Sequence, residues 1–237
     1  MHGLAAADLL ALWERCLPQP PGGRAVTLLA HVDPGADPAS LPVGRRDAAL
    51  LALHAAAFGG RLVAVADCPG CGEWLDLGVD ATELAGVSGE AADPPAELTV
   101  RHGGYGLRLR LPTAGDLAAV PADGAALLAR CTLAVDRDGV AADPYGLPAE
   151  VRRAAEERLA AADPGAEIAL ALTCPSCDHR WQEALDPVAF VWAEVDGWAR
   201  RLAGEVHVLA AAYGWSEAEI LALSPWRRRL YLDAVAG

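Results

Sequence analysis

Apolar positions along this chain follow two periods, 3.6 and 2, and the switches between them divide it into elements. Residues 4–17 carry Leu9, Leu10, Leu12, Trp13 and Cys16 at helical spacing. Pro18, Pro20, Pro21, Gly22 and Gly23 then predict a turn. Residues 26–32 form a short apolar run of either type, 34–42 read as a loop, and 45–58 predict a second helix stopped by Gly59-Gly60. Residues 81–95 read as a turn-rich linker containing Asp93-Pro94-Pro95. Leu98-Thr-Val100-Arg and Leu107-Arg-Leu109-Arg-Leu111 alternate around His102-Gly-Gly-Tyr-Gly106, the signature of a hairpin with leucines inward and arginines outward. Thr113-x-x-Asp116 opens a short helix, 123–133 continue helical after Pro121, and Leu147-Pro148 opens a longer helix ended by Asp163-Pro164.

The clearest helical signal lies near the end of the chain. Asp186-Pro187 combines a capping acid with proline at the first helical position. Val188, Val191, Val195, Trp198, Leu202, Val206, Leu209 and Tyr213 then recur at steps of three and four, a stripe of about seven turns. Trp192 falls off the stripe and Ala199 and Ala203 widen it, so this helix is expected to pack on two sides. Gly214 ends it. Ser216-x-x-Glu219 is a capping box, and Ser224-Pro225 starts a last helix.

Composition narrows the chemistry. The 237 residues are 53% hydrophobic, enough for a sizeable core in one large or two small domains. No run approaches the ~18 apolar residues of a membrane span, and Met1-His2-Gly3-Leu4 has no basic leader region, so a cytoplasmic protein is expected. All 19 basic residues are arginine. A P-loop, Schiff-base or kinase-type lysine is therefore excluded within these residues. The net charge of −13 is concentrated in residues 61–186 and opposes broad binding to nucleic acid or anionic membranes. His-Glu-x-x-His, Gly-x-Ser-x-Gly and a Gly-rich phosphate loop do not occur, and the six histidines lack metal-ligand spacing. No enzymatic activity and no small-molecule substrate are expected.

Four of the six cysteines form two pairs, Cys68-Pro-Gly-Cys71 and Cys174-Pro-Ser-Cys177. One Cys-x-x-Cys is ambiguous between metal and redox chemistry. A redox motif of the thioredoxin kind opens a helix, whereas Cys71 leads into Trp74-Leu75-Asp76-Leu77-Gly78-Val79, which alternates like a strand. Residues 61–67 and 167–173, both extended and apolar, lead into the two pairs, and a tryptophan follows each (Trp74, Trp181). Strand, knuckle, strand occurs twice. Two knuckles supply four thiolates, the set that closes a tetrahedral structural Zn2+ site. The other reading is four unmetallated thiols. A full set leaves no open position, so one structural zinc is expected, and His179 beside the second knuckle is expected to be a turn residue. Its peculiarity is that 102 residues separate Cys71 from Cys174, where compact ribbons have ~15–20. Cys16 and Cys131 sit in helical patterns as core thiols.

The tail carries a resemblance. Asp186-Pro187-x-x-Phe190-x-Trp192-x-Glu194, Glu205-Val206-His207-x-Leu209 and Tyr213-Gly214-Trp215-Ser216-x-x-Glu219-Ile220 resemble baseplate (hub) assembly proteins of T-even-type contractile phages and relatives in phage-tail-like injection systems. So does Leu223-Ser224-Pro225-x-Arg227-Arg228-x-x-Tyr231. Leu109-Arg110-Leu111-Pro112-Thr113-x-x-Asp116 and the two knuckles are similar to the same group. The resemblance implies a structural or assembly role in the baseplate, with other baseplate proteins as partners, and a place inside an assembled particle or in the cytoplasm. Trp192, Trp215, Trp226, Arg227 and Arg228 are the expected partner-binding residues, tryptophan being a favoured interface anchor; the bland reading of the tryptophans is a small helical core. The competing function is a zinc-ribbon nucleic-acid-binding regulator ending in Arg227-Arg228-Arg229, opposed by the net charge. Arg201, one turn before Glu205, is its expected ion partner.

These readings combine into an α+β fold. It comprises a helical N-terminal region (1–60), a split four-cysteine zinc ribbon (61–80 plus 167–186), a long α+β insertion (81–166) and a helical C-terminal tail (187–237).

Overall fold

In the computed structural model, which describes residues 6–89, 95–120 and 123–237, the apolar stripes of four helices meet in one core. These are α1 (Ala6–Cys16), α2 (Pro21–Val32), α3 (Val43–Phe58) and, from the far end of the chain, a 27-residue helix, Pro187–Tyr213. Leu12, Cys16, Ala25, Leu28, Leu29, Leu50, Leu53, Val188 and Val191 fill the space between them. Polar contacts reinforce the junction: Trp13 Nε1 donates to Asp196 Oδ1 at 2.9 Å, and the Arg24 guanidinium lies 4.4 Å from the centre of the Trp192 ring.

Between α3 and that long helix the chain builds three separate sheets. The antiparallel strands β1 (Arg61–Asp67) and β2 (Trp74–Asp80) form the first, followed by α4 (Ala81–Gly89). The second has four strands in the order β3 (Leu98–His102), β4 (Tyr105–Leu109), β5 (Thr132–Arg137) and β6 (Val140–Ala141). Helices α5 (Ala114–Ala119) and α6 (Gly124–Cys131) connect β4 to β5, and α7 (Ala149–Ala162) follows. The third sheet pairs β7 (Ile168–Thr173) with β8 (Arg180–Leu185). The long helix is then α8, with α9 (Glu217–Leu221) and α10 (Pro225–Ala236) behind it. The architecture is mixed helix and strand, as the α+β reading expects.

The predicted hairpin faces are observed except at Arg110, which is half-buried and turned to the Asp116 carboxylate. Leu98, Val100, Leu107 and Leu109 are buried against Leu128, Leu147, Val151 and Ala155, while Thr99, Arg101 and Arg108 are exposed. Three expectations change. The turn placed at 18–23 ends earlier, because Pro21 takes the first position of α2, where its missing N–H costs no hydrogen bond. Gly22 lets that first turn approach α5: a Cβ there would lie 3.1 Å from the Ala118 backbone. The short run at 26–32 is thus helical. The linker at 81–95 begins as α4, because Asp80 Oδ1 accepts from the backbone of Thr82 (2.7 Å) and Glu83 (3.3 Å) while Ala81 is buried against Leu51 and Leu62. Asp93 and Pro94 of that linker, Pro121 and Leu4 lie outside the described residues.

The third change is at 123–133, where the helix ends at Cys131 and Thr132 begins a strand paired to β4. Asp138 and Gly139 both have positive φ (52° and 82°), which sets the two-residue turn from β5 to β6. Corner residues Arg110, Thr113 and Asp116 form one network with Arg130. Asp116, 3% exposed, accepts from both Arg110 terminal nitrogens (2.5 and 2.9 Å), from Arg130 Nε (3.2 Å) and from the backbone N–H and hydroxyl of Thr113 (both 3.0 Å).

The tail folds back on α8. Asp186 Oδ1 caps it by accepting from Val188 and Ala189, and Gly214 ends it at φ 69°. Both expected serine caps are in place, at Ser216 and Ser224. Glu205 pairs with Arg228 (Nε to Oε2, 3.0 Å) and not with Arg201, because α10 brings a buried guanidinium to it. Arg228 also donates to the Leu223 carbonyl at 2.9 Å. Removing it with Arg228→Ala is expected to cost about 1–3 kcal/mol. Amide exchange should accelerate along 224–236 while α8 keeps its protection; uniform acceleration through α8 would contradict a local staple.

Candidate metal centre

Each of the two small hairpins ends in a Cys-Pro-x-Cys turn, and the turns are built alike. In the first, the Gly72 N–H donates to the Cys68 carbonyl (2.8 Å) and the Cys68 N–H to the Glu73 carbonyl (2.9 Å). In the second, the Asp178 N–H donates to the Cys174 carbonyl (3.0 Å) and the Cys174 N–H to the His179 carbonyl (2.9 Å). The residue after the second cysteine is left-handed in both, Gly72 at φ 74° and Asp178 at φ 57°. Glycine and aspartate are among the few residues that tolerate this. The flanking pairs close at the same offset, Asp67↔Trp74 and Thr173↔Arg180.

The two turns face each other. Cys68 Sγ lies 3.7 Å from Cys177 Sγ, and Cys71 Sγ lies 3.6 Å from Cys174 Sγ. All four sulfurs are within 4.8 Å of one another. A tetrahedron with metal–sulfur bonds of about 2.3 Å has edges of about 3.8 Å, so the observed spacing fits one ion at the centre. Cys68 and Cys174 are buried, Cys71 and Cys177 exposed. Gly70 permits the approach: a Cβ there would meet the His179 side chain at 3.1 Å. His179 is exposed and stacks on Trp181 at 6.1 Å between ring centres, the turn position expected for it.

Within this cluster the surroundings push Cys71 and Cys174 in opposite directions. A backbone hydrogen bond from Glu73 favours the Cys71 thiolate, yet the thiols of Cys177, Cys174 and Cys68 leave it pushed up to about 12. Burial opposes ionisation at Cys174, but hydrogen bonds from the backbone of Ser176 and Cys177 and from neighbouring thiols bring it down to about 7. A positive charge at the centre would favour all four thiolates together. Four sulfurs at this spacing can hold one metal ion.

The residues expected to bind partners are scattered. Trp192 is half-buried against the four-helix core under Arg24. Trp215 is half-buried, stacked on Tyr213 (4.7 Å) and edge-on to Tyr231 (4.9 Å). Arg228 is buried in its pair with Glu205. Trp226, 72% exposed, and Arg227 face outward. Two features of the site went unread in the sequence: the left-handed Gly72 and Asp178, signalled by their residue types, and the closeness of Gly70 to His179. No helix among the described residues is long and apolar enough to cross a membrane. Comparison of the chain with protein-family models, curated proteins and solved structures gives no match.

Proposed function

We propose that this chain is a structural or assembly protein of a contractile phage-tail-like baseplate, without enzymatic activity, built around one structural zinc. The observation that carries the structural role is the closed set of four sulfurs from Cys68, Cys71, Cys174 and Cys177. Four protein thiolates leave no coordination position for substrate or water, so a metal there fixes shape. It clasps the two hairpins that bracket residues 81–166. Zinc is the metal this donor set favours, since tetrahedral four-thiolate sites are a hallmark of structural Zn2+.

The baseplate assignment rests on the resemblance of 186–231 and 109–116 to baseplate assembly proteins. In this reading α10 docks other baseplate components through its outer face, where Trp226 and Leu230 are exposed one turn apart. The protein would work in the cytoplasm or within the assembled particle. A nucleic-acid role is disfavoured by the same helix: Arg228 is buried against Glu205, and Arg229 pairs with Asp233 at 3.0 Å, so the three arginines offer no continuous phosphate-binding face.

The test is the double substitution Trp226→Ala, Leu230→Ala in the cell that makes the protein. Both side chains are exposed, so bound zinc and melting temperature should not change. Co-purification with baseplate proteins and assembly of particles should be lost. Normal particles from the variant would remove α10 from the docking role. Sub-micromolar, steeply salt-dependent binding of the unaltered chain to duplex DNA would replace this reading with the regulator.

A further inference from the structure

The outward face of the β1–β2 hairpin has the make-up of a binding surface. Antiparallel pairing sets Arg61 opposite Asp80, Val63 opposite Gly78, Val65 opposite Asp76 and Asp67 opposite Trp74, all on the exposed side. Trp74, diagonal to Val65, is 76% exposed, Val63 61% and Val65 58%. These three form one apolar diagonal across a two-stranded sheet. The opposite side of the sheet is the one turned inward, with Leu62 and Ala66 buried. So much apolar surface gathered on one small sheet marks an interaction site more often than chance exposure.

Charge identifies the occupant. Asp67 and Asp76 flank the diagonal, each directly opposite one of its apolar members, and neither carboxylate enters a hydrogen bond or ion pair among the described residues. Asp80, in contrast, is committed to capping α4. A second copy would bring Asp67 and Asp76 of each face against their equals, with only Arg61, whose guanidinium lies over Gly78, to offset them in a chain already at −13. Nucleic acid and anionic membrane are repelled by the same groups.

We infer that the Val63–Val65–Trp74 face is a docking surface for a partner protein that presents an apolar side chain flanked by arginines or lysines. Trp74 and the valines bury the apolar group, and Asp67 and Asp76 receive the cations on either side. This surface lies on a different element from α10, and the inference holds whichever assembly the chain serves.

Two capped seven-residue peptides test it against the full-length, zinc-loaded chain: Ser-Arg-Ser-Val-Ser-Arg-Ser, which when extended puts the valine and both arginines on one face, and the same peptide with glutamate for arginine as its charge-inverted control. The indole N–H signal of Trp74, identified by its loss in Trp74→Phe, is followed by NMR at physiological ionic strength. The basic peptide should shift that signal and the Val63 and Val65 methyl signals saturably, and the acidic one should not. Asp67→Asn with Asp76→Asn should weaken binding at least tenfold, and Trp74→Ala should abolish it. The melting temperatures of all three variants should stay within a degree or two of the parent's, because the altered side chains are exposed. Equal response to both peptides, a response confined to other residues, or no response would overturn the inference. So would a peptide-free, concentration-dependent shift of the Trp74 signal accompanied by a dimer mass, which would name a second copy as the occupant.

Discussion

Replacing Cys177 with serine is expected to release the metal and melt both knuckle hairpins while leaving the helical core folded. Isolated two-stranded hairpins are at best marginal in water, and these two bury little of their own. On β1 only Leu62 and Ala66 are buried, and on β2, β7 and β8 no residue is. Their bases rest on Leu51, Ala81 and Phe190, but their tips meet through the four sulfurs and the close approach of Gly70 to His179. Metal binding to structural four-ligand sites is worth on the order of 10 kcal/mol and is coupled to folding. Loss of one ligand should therefore cost at least about 3 kcal/mol. Cys177 is the informative position because its side chain is exposed and serine there creates no cavity. Cys174→Ser should show the same loss of metal, with an added packing cost because Cys174 is fully buried. Hydrogen exchange should report lost protection at 61–80 and 168–185 and near-normal protection around Leu12, Leu50 and Val191. A metal-replete Cys177→Ser protein that melts with the parent would mean that the thiols stabilise nothing through a metal.

The second large effect is expected at Asp116. Its carboxylate is 3% exposed and serves three partners, Arg110, Arg130 and Thr113, that join β4, α5 and α6. The Arg110 hydrogen bonds, aided by those of Thr113, hold it well below the usual carboxylate range despite its burial. Asp116→Asn keeps the shape and removes the charge, leaving two arginines without their counterion. Breaking a buried ion pair costs about 3–5 kcal/mol; the lower end applies because both arginines reach water. The sign with pH follows from the depressed value. The stabilisation is fully present above the unfolded pKa of about 4 and is lost as pH falls toward the lower folded value. The parent should lose stability steeply below pH ~4, whereas Asp116→Asn should start lower at neutral pH and fall less on the acid side. Parallel acid limbs in urea titrations of the two proteins would contradict this role.

What the sequence revealed and what it hid divide along contact range. Cys-Pro-x-Cys with extended flanks marks both turns of the candidate metal centre because backbone and ligand geometry are local there. The caps at Asp186, Ser216 and Ser224 are local too, and their sites were legible for that reason. Proline misled at the start of α2, since Pro21 followed by two glycines spells a turn unless a neighbour such as Ala118 rewards a helix there. Thr132 continues the helical pattern of 123–133 in the sequence, which does not show that β4 offers an open edge. Asp138-Gly139, which follows, is itself a local hairpin-turn signal. In the sequence Arg228 reads as a partner-binding residue beside Arg227, and only the return of α10 onto Glu205 turns it inward. Which sulfurs lie nearest each other, Cys68 with Cys177 and Cys71 with Cys174, depends on the whole intervening fold.

The most direct measurement of the account is zinc content and X-ray absorption on the full-length chain purified under reducing, metal-replete conditions. One zinc per chain with four sulfur neighbours at about 2.3 Å is the predicted result. Two zincs per chain, a shell containing nitrogen or oxygen, or a protein that remains metal-free would contradict a single ion shared by Cys68, Cys71, Cys174 and Cys177.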